Sequence, residues 1–133
     1  MKKSYKIGVD ARTIFAPTRR GIGKTLVEVY RRLAICHDNW EFLLFFQYTN
    51  VKQSSKNYTN VKLKNNTFVE NPFENYTNVK LFPIDFPGDR WNFWEEIRLP
   101  LAAKINGIDI LHCPANTAPR YPCVPMVVTI HDL

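Results

Sequence analysis

No stretch of this sequence is apolar for long enough to cross a bilayer. The longest uninterrupted apolar run is Phe42 to Phe46, five residues against the roughly 18 to 20 that a membrane-spanning helix needs. Lys6, Asp10 and Arg12 likewise break up any signal-peptide core behind Lys2 and Lys3, so a cytoplasmic location is expected. Cysteine is scarce: Cys36, Cys113 and Cys123 form no CxxC pair and no even disulfide set, and reduced, mostly buried thiols are expected. The three His and three Cys contain no pair at the close spacing of zinc ligands, so no metal is expected. The 133 residues leave no surplus for a second domain, and 45% apolar with 23% charged content excludes disorder and fibres.

What is present is a charge imbalance. Residues 1–32 hold nine Lys or Arg against Asp10 and Glu28, a net +7, while the other 101 residues sum to −1. A basic segment of this kind attracts nucleic acid, an anionic membrane surface or a phosphorylated ligand. A solvated lysine-rich surface is the plain alternative. No RNA-binding aromatic motif or recognition-helix pattern accompanies the charge, which ranks nucleic acid low.

Periodicity organises the rest. Tyr5 to Asp10 alternates as a first strand, and Ile22, Leu26, Val29 and Leu33 step at helical spacing, with His37-Asp38-Asn39 as the exit turn. Glu41 to Tyr48 is a continuous apolar run that suits a strand buried on both faces of a parallel sheet. Residues 49–78 hold eight of the twelve asparagines, which marks a polar surface insertion. YTNVK recurs there at Tyr48, Tyr58 and Tyr76 without a fixed period, which argues against a solenoid, and the last copy leads into a strand at Asn78 to Pro83. In residues 89–107, Trp91, Trp94, Ile97 and Leu101 fall on one helical face that Pro100 bends or restarts, and Gly107 supplies the C-cap. Ile108 to Cys113 and Pro125 to Ile130 read as the last strands. Alternation of strands and helices predicts an α/β class with a mostly parallel sheet.

Ligands of open α/β sheets bind outside the carboxyl ends of the strands. Three segments are predicted to arrive there: the loop from Asp10 to Thr25 with Arg12 and Gly21-Ile22-Gly23-Lys24, then His112 to Thr117, then His131-Asp132. Gly21 and Gly23 let a ligand approach closely, and the helix beginning there turns N–H groups toward any phosphate. Gly23-Lys24-Thr25 also matches the end of a P-loop, but Thr18 stands where the first glycine belongs, which argues against an NTPase. Histidines at strand ends, His112 and His131, are placed to exchange hydrogen bonds and to titrate near neutrality. His37 is assigned to structure.

Taken together, Gly8-Val9-Asp10-Ala11-Arg12, Gly21-Ile22-Gly23-Lys24, Trp94 to Pro100 (WEEIRLP), Asp109 to Asn116 (DILHCPAN) and Thr129-Ile130-His131-Asp132-Leu133 resemble the N-terminal lobe of family 4 glycosyltransferases of the GT-B fold. The resemblance runs from residue 5 to the end apart from the Asn-rich insertion. It implies a Rossmann-like lobe that holds the acceptor in a retaining transfer from a nucleotide-sugar donor to a glycan or a lipid-linked acceptor, with no cofactor. By motif match, Gly21, Gly23 and Lys24 would lie near the donor's phosphates and His131 would approach the donor sugar at the reaction centre. Arg12 and Asn116 would contact acceptor or phosphate, with Asp132 counted among the substrate-binding residues.

The family also has a second lobe, which binds the nucleotide and carries two glutamates seven residues apart. This chain stops at Leu133, so residues 1–133 are expected to be a truncated lobe, inactive alone and dependent on a C-terminal partner lobe. Peripheral contact of the +7 segment with a membrane would suit a lipid-linked acceptor. The competing expectation is a non-catalytic α/β binding module that uses the basic segment for nucleic acid or anionic lipid.

Overall fold

The computed structural model describes residues 3–16, 18–47, 60–62, 68–84 and 93–131, with 60–62 and 68–69 as backbone only. Five strands form one parallel sheet: β1 (Lys6–Asp10), β2 (Glu41–Gln47), β5 (Val79–Ile84), β6 (Ile110–Cys113) and β7 (Met126–Val128). Their order is β5-β2-β1-β6-β7, so β1 is central and the chain passes back over it once, between β5 and β6. β3 (Asn60–Lys62) and β4 (Phe68–Glu70) make a separate antiparallel pair. The predicted α/β, Rossmann-like class with a parallel sheet is the observed one.

The five-residue apolar run explains the centre of the sheet. Phe42 to Phe46 are all buried in β2, with Phe42, Leu44 and Phe46 packing to one face and Leu43 and Phe45 to the other. Each side chain so removed from water contributes about 1.5–3 kcal/mol. Helix α1 (Gly21–Cys36) covers the first face with Leu26, Val27, Tyr30 and Ala34. The second face is covered by a π-helical turn, Trp94–Arg98, that runs directly into α2 (Leu99–Ile105), through Trp94, Leu99 and Ala103.

Both helices differ in phase from their predicted faces. In α1 the inward set is Gly23, Leu26, Val27, Tyr30 and Ala34, whereas Val29 is 40% exposed and Ile22 and Leu33 lie at the margin. Tyr30 takes the position that Val29 was expected to fill. In the second helix Trp94 is fully buried but Ile97 and Leu101 face outward, because the i→i+5 turn displaces the inward stripe to Leu99 and Ala103. Trp91 lies outside the described residues. Pro100 falls where the π-helical turn passes into α2, with Arg98 and Leu99 both helical, so the backbone stays helical through the junction. Gly107 has φ +65° and closes α2 as predicted.

Two further expectations are corrected. Cys36 and Cys123 are exposed and only Cys113 is buried, since Cys36 ends α1 on its outer side and Cys123 lies in the proline-rich loop. The segment 49–78 is not wholly a surface insertion, because Asn71, Pro72 and Phe73 are buried and Phe73 joins the α1-side core. Of the YTNVK copies, the second ends in β3 and the third runs into β5, so one pentapeptide serves two different sheets. The first copy lies outside the described residues.

Candidate functional site

Parallel strands bring the ends of β1, β6 and β7 to one edge. β1 ends there in Asp10, which is 4% exposed, and the chain turns at once through Arg12. The Arg12 guanidinium folds back onto the Asp10 carboxylate, with Nε 2.9 Å from Oδ1 and Nη2 2.6 Å from Oδ2, and Nη2 also donates to Glu95 Oε1 at 3.1 Å. Trp94 presents its ring 4.6 Å from the guanidinium carbon. All three charged side chains are at most 7% exposed. Burial works against the Arg12 charge, but Asp10 and Glu95 outweigh it, so the guanidinium holds its proton more firmly than usual. Cys113, at the end of β6 beside this cluster, is pushed up to about 12 by burial and by Asp10 and Glu95, which makes it an inert thiol.

A second network lies on the α1 face. Tyr30 Oη meets His112 Nδ1, and His112 Nε2 lies 2.8 Å from Thr129 Oγ1, just past β7. Burial raises the Tyr30 phenol above its ordinary value, with Cys113 adding to the effect. Burial lowers His112, opposed by Asp10 and assisted by His131. The ring is therefore neutral at neutral pH.

His131 completes the edge. Its backbone N–H donates to Asn116 Oδ1 at 2.7 Å, and its Nε2 lies 2.7 Å from the Pro114 carbonyl. A carbonyl oxygen only accepts, so Nε2 carries a proton, and the tautomer compatible with this contact has Nδ1 as its acceptor. Asn116 adopts φ +67°, a left-handed conformation that asparagine tolerates, and this turns its amide toward His131.

The α1 N-terminus has the features of an anion-facing helix start. No acidic residue occupies its first turn, Arg20 provides no side-chain cap, and Lys24 is exposed. The intrahelical ladder opens with Lys24 N donating to Arg20 O at 2.9 Å, so the N–H groups of Gly21, Ile22 and Gly23 precede it. Gly21 has open space around it. Gly23 is required for another reason: a Cβ there would lie 2.3 Å from the Thr13 carbonyl oxygen, so the loop backbone packs directly on it.

Of the predicted site residues, Arg12 is joined to Asp10 and Glu95, Asn116 is joined to His131, and Gly21, Gly23 and Lys24 open α1. Asp132 lies outside the described residues. Sequence reasoning overlooked the parts played by Trp94, Glu95, Tyr30 and Thr129. The first two lay within the WEEIRLP segment, where their only signal was a carboxylate beside an aromatic. Among the described residues no group of three or more His, Cys, Asp or Glu is placed to hold a metal ion, and no helix is long and apolar enough to cross a membrane.

The fold and edge define an α/β protein with a Rossmann-like parallel sheet and a polar site at its carboxyl ends. Comparison with protein-family models, with curated proteins and with solved structures finds no match.

Proposed function

We propose that this chain is the acceptor-side lobe of a retaining glycosyltransferase that moves a sugar from a nucleotide-sugar donor to a glycan or a lipid-linked acceptor. The observation that carries the reading is His131, held at the carboxyl edge with Nε2–H on Pro114 and with no partner for Nδ1 among the described residues. An acceptor nitrogen in a fixed place suits a sugar hydroxyl. In the transfer, the bond from the anomeric carbon to the diphosphate breaks, the diphosphate leaves with the electron pair, and the acceptor oxygen bonds to that carbon as its proton passes to the departing diphosphate oxygen. Gly21, Gly23 and Lys24 at the start of α1 would stabilise the charge growing on the diphosphate. In this reading Arg12, committed to Asp10 and Glu95, shapes the wall of the site. The nucleotide base would be gripped by a second lobe.

The non-catalytic reading draws less support from the basic segment. Lys6 donates to the Asn106 carbonyl, Arg12 is buried, Arg19 donates to the carbonyls of Ile14 and Glu70, and Arg31 donates to that of Pro72. Four of its nine cations thus serve internal contacts. Lys3, Arg20, Lys24 and Arg32 stay exposed and would suit peripheral contact with an anionic leaflet.

Fluorescence polarisation with labelled oligosaccharides, nucleoside-diphosphate sugars, RNA and DNA over a salt series separates the two. The transferase reading expects weak sugar-ligand binding that survives added salt. Binding of nucleic acid alone, falling steeply with salt, would overturn it.

A further inference from the structure

The end of the sheet carrying His131 lacks the apolar burial that holds the other strands. Val127, Val128 and Ile130 are 51%, 36% and 55% exposed, whereas Val9 and Leu44, in the inner strands, are fully buried. Polar ties do the holding instead. Thr129 N donates to the Cys113 carbonyl at 3.0 Å, Asn116 N donates to the Thr129 carbonyl at 3.1 Å, and His131 hangs from Asn116 and Pro114. The Thr129 side chain is tied separately, through His112 to Tyr30 on α1.

The direction of these bonds follows from the chemistry of the groups. Two arrangements fit the positions of the heavy atoms. In one, Tyr30 donates to Nδ1 and Nε2–H donates to Thr129. In the other, Thr129 donates to Nε2 and Nδ1–H donates to Tyr30. Tyr30 is 2% exposed, and its phenol hydrogen has no other acceptor among the described residues. The second arrangement would strand that buried hydrogen, at a cost of about 1–3 kcal/mol. The first leaves only the Thr129 hydroxyl hydrogen unassigned, and Thr129 is half-buried and reached by water. Tyr30 therefore sets the His112 tautomer, and the tautomer makes Thr129 an acceptor.

We infer that Tyr30, His112 and Thr129 form a positioning relay that runs from the buried face of α1 to the exposed end of the sheet and fixes where His131 presents its imidazole. None of the three is a catalytic residue; each acts through the next. The relay deepens the proposed function, since it serves the same histidine, but its geometry does not depend on which ligand His131 meets.

The test is long-range proton–nitrogen NMR of the whole chain with 15N-labelled histidine at neutral pH, which reads the tautomer of each ring. In the unaltered protein, His112 is expected as the Nε2–H form. Tyr30→Phe removes one oxygen and keeps the ring, and it should turn the single His112 tautomer into a mixture and move the His131 nitrogen shifts. Thr129→Val should leave His112 as Nε2–H, because Tyr30 still donates, while moving His131. Thr129→Ser should restore the His131 shifts. His112 found as Nδ1–H, or His131 signals in Tyr30→Phe and Thr129→Val unchanged from those of the unaltered protein, would overturn the relay. Thr129 lies at the exposed end, so its variants decide the matter even where Tyr30→Phe fails to fold. No sugar enters the measurement, so its failure is distinct from failure of the transferase reading.

Discussion

Trp94 lies under Arg12, its ring 4.6 Å from the guanidinium carbon, while the adjacent Glu95 takes the same guanidinium through Nη2 at 3.1 Å. Two consecutive residues of the π-helical turn thus bind one cation, which joins the second face of the sheet to the end of β1. An isolated buried guanidinium would be strongly unfavourable; two carboxylates and an aromatic face offset that penalty.

Arg12→Met leaves Asp10 and Glu95 buried without their shared cation. Urea unfolding should show a loss of about 3–5 kcal/mol. Glu95→Gln keeps a hydrogen-bond acceptor for Nη2 and should lose less. Equal losses in the two variants would mean that the pairing with Asp10 is not the stronger tie.

The two glycines at the start of α1 should respond oppositely. Gly23→Ala drives a methyl into the Thr13 carbonyl, a backbone atom that cannot swing away, and should destabilise by about 1–3 kcal/mol. Gly21→Ala meets nothing within 4 Å and should be neutral, or stabilising by up to about 1 kcal/mol through reduced chain entropy. Thermal melts of the two variants side by side check the contrast.

Burial holds His112 below its ordinary value of 6.5, with Asp10 opposing and His131 adding to the effect. As pH falls through that value the unfolded chain takes up the proton first. Stability should therefore decline from about pH 6.5 down to the lower native value, and His112→Gln should remove that part of the slope. At the alkaline end, burial and the two carboxylates push Cys113 from 9.0 to about 12, so the unfolded thiol ionises first. Stability should fall as pH rises above 9. Urea midpoints across pH measure both limbs.

Thiol accessibility follows from the same burial. Cys36 and Cys123 are exposed and Cys113 is not. Ellman's reagent should titrate two thiols promptly in the native protein and the third only on unfolding. A prompt third reaction would show that the end of β6 opens readily.

The parts of the fold that sequence revealed are those where one physical signal dominates. Phe42 to Phe46, a short apolar run between turn-formers, suits a strand covered on both faces, and that strand lies between β1 and β5. Asp10, His112 and His131 were placed at one edge because a parallel sheet leaves strand ends no other arrangement. Helix phase was harder to read. Val29 and Tyr30 are adjacent, and spacing alone favoured the aliphatic residue, whereas Tyr30 goes inward because His112 offers its hydroxyl a partner. The π-helical turn leaves no periodic mark, so Ile97 and Leu101 were assigned inward when Leu99 and Ala103 fill that place. Gly23 was read for its closeness to a ligand, and its first requirement is closeness to Thr13. Glu95 pairs with a residue 83 positions away, a relation that no local pattern encodes.

We propose that the carboxyl edge of this sheet recognises a sugar and its diphosphate. The most direct measurement is a proton–nitrogen NMR titration of the whole chain with a panel of nucleoside-diphosphate sugars, following the backbone amides of Gly21, Gly23, Lys24, Asn116 and His131. Shifts concentrated on these residues are expected for at least one donor, weakened by Lys24→Ala and His131→Ala. Shifts confined to exposed lysines elsewhere, or no shift at these five positions with any donor, would contradict it.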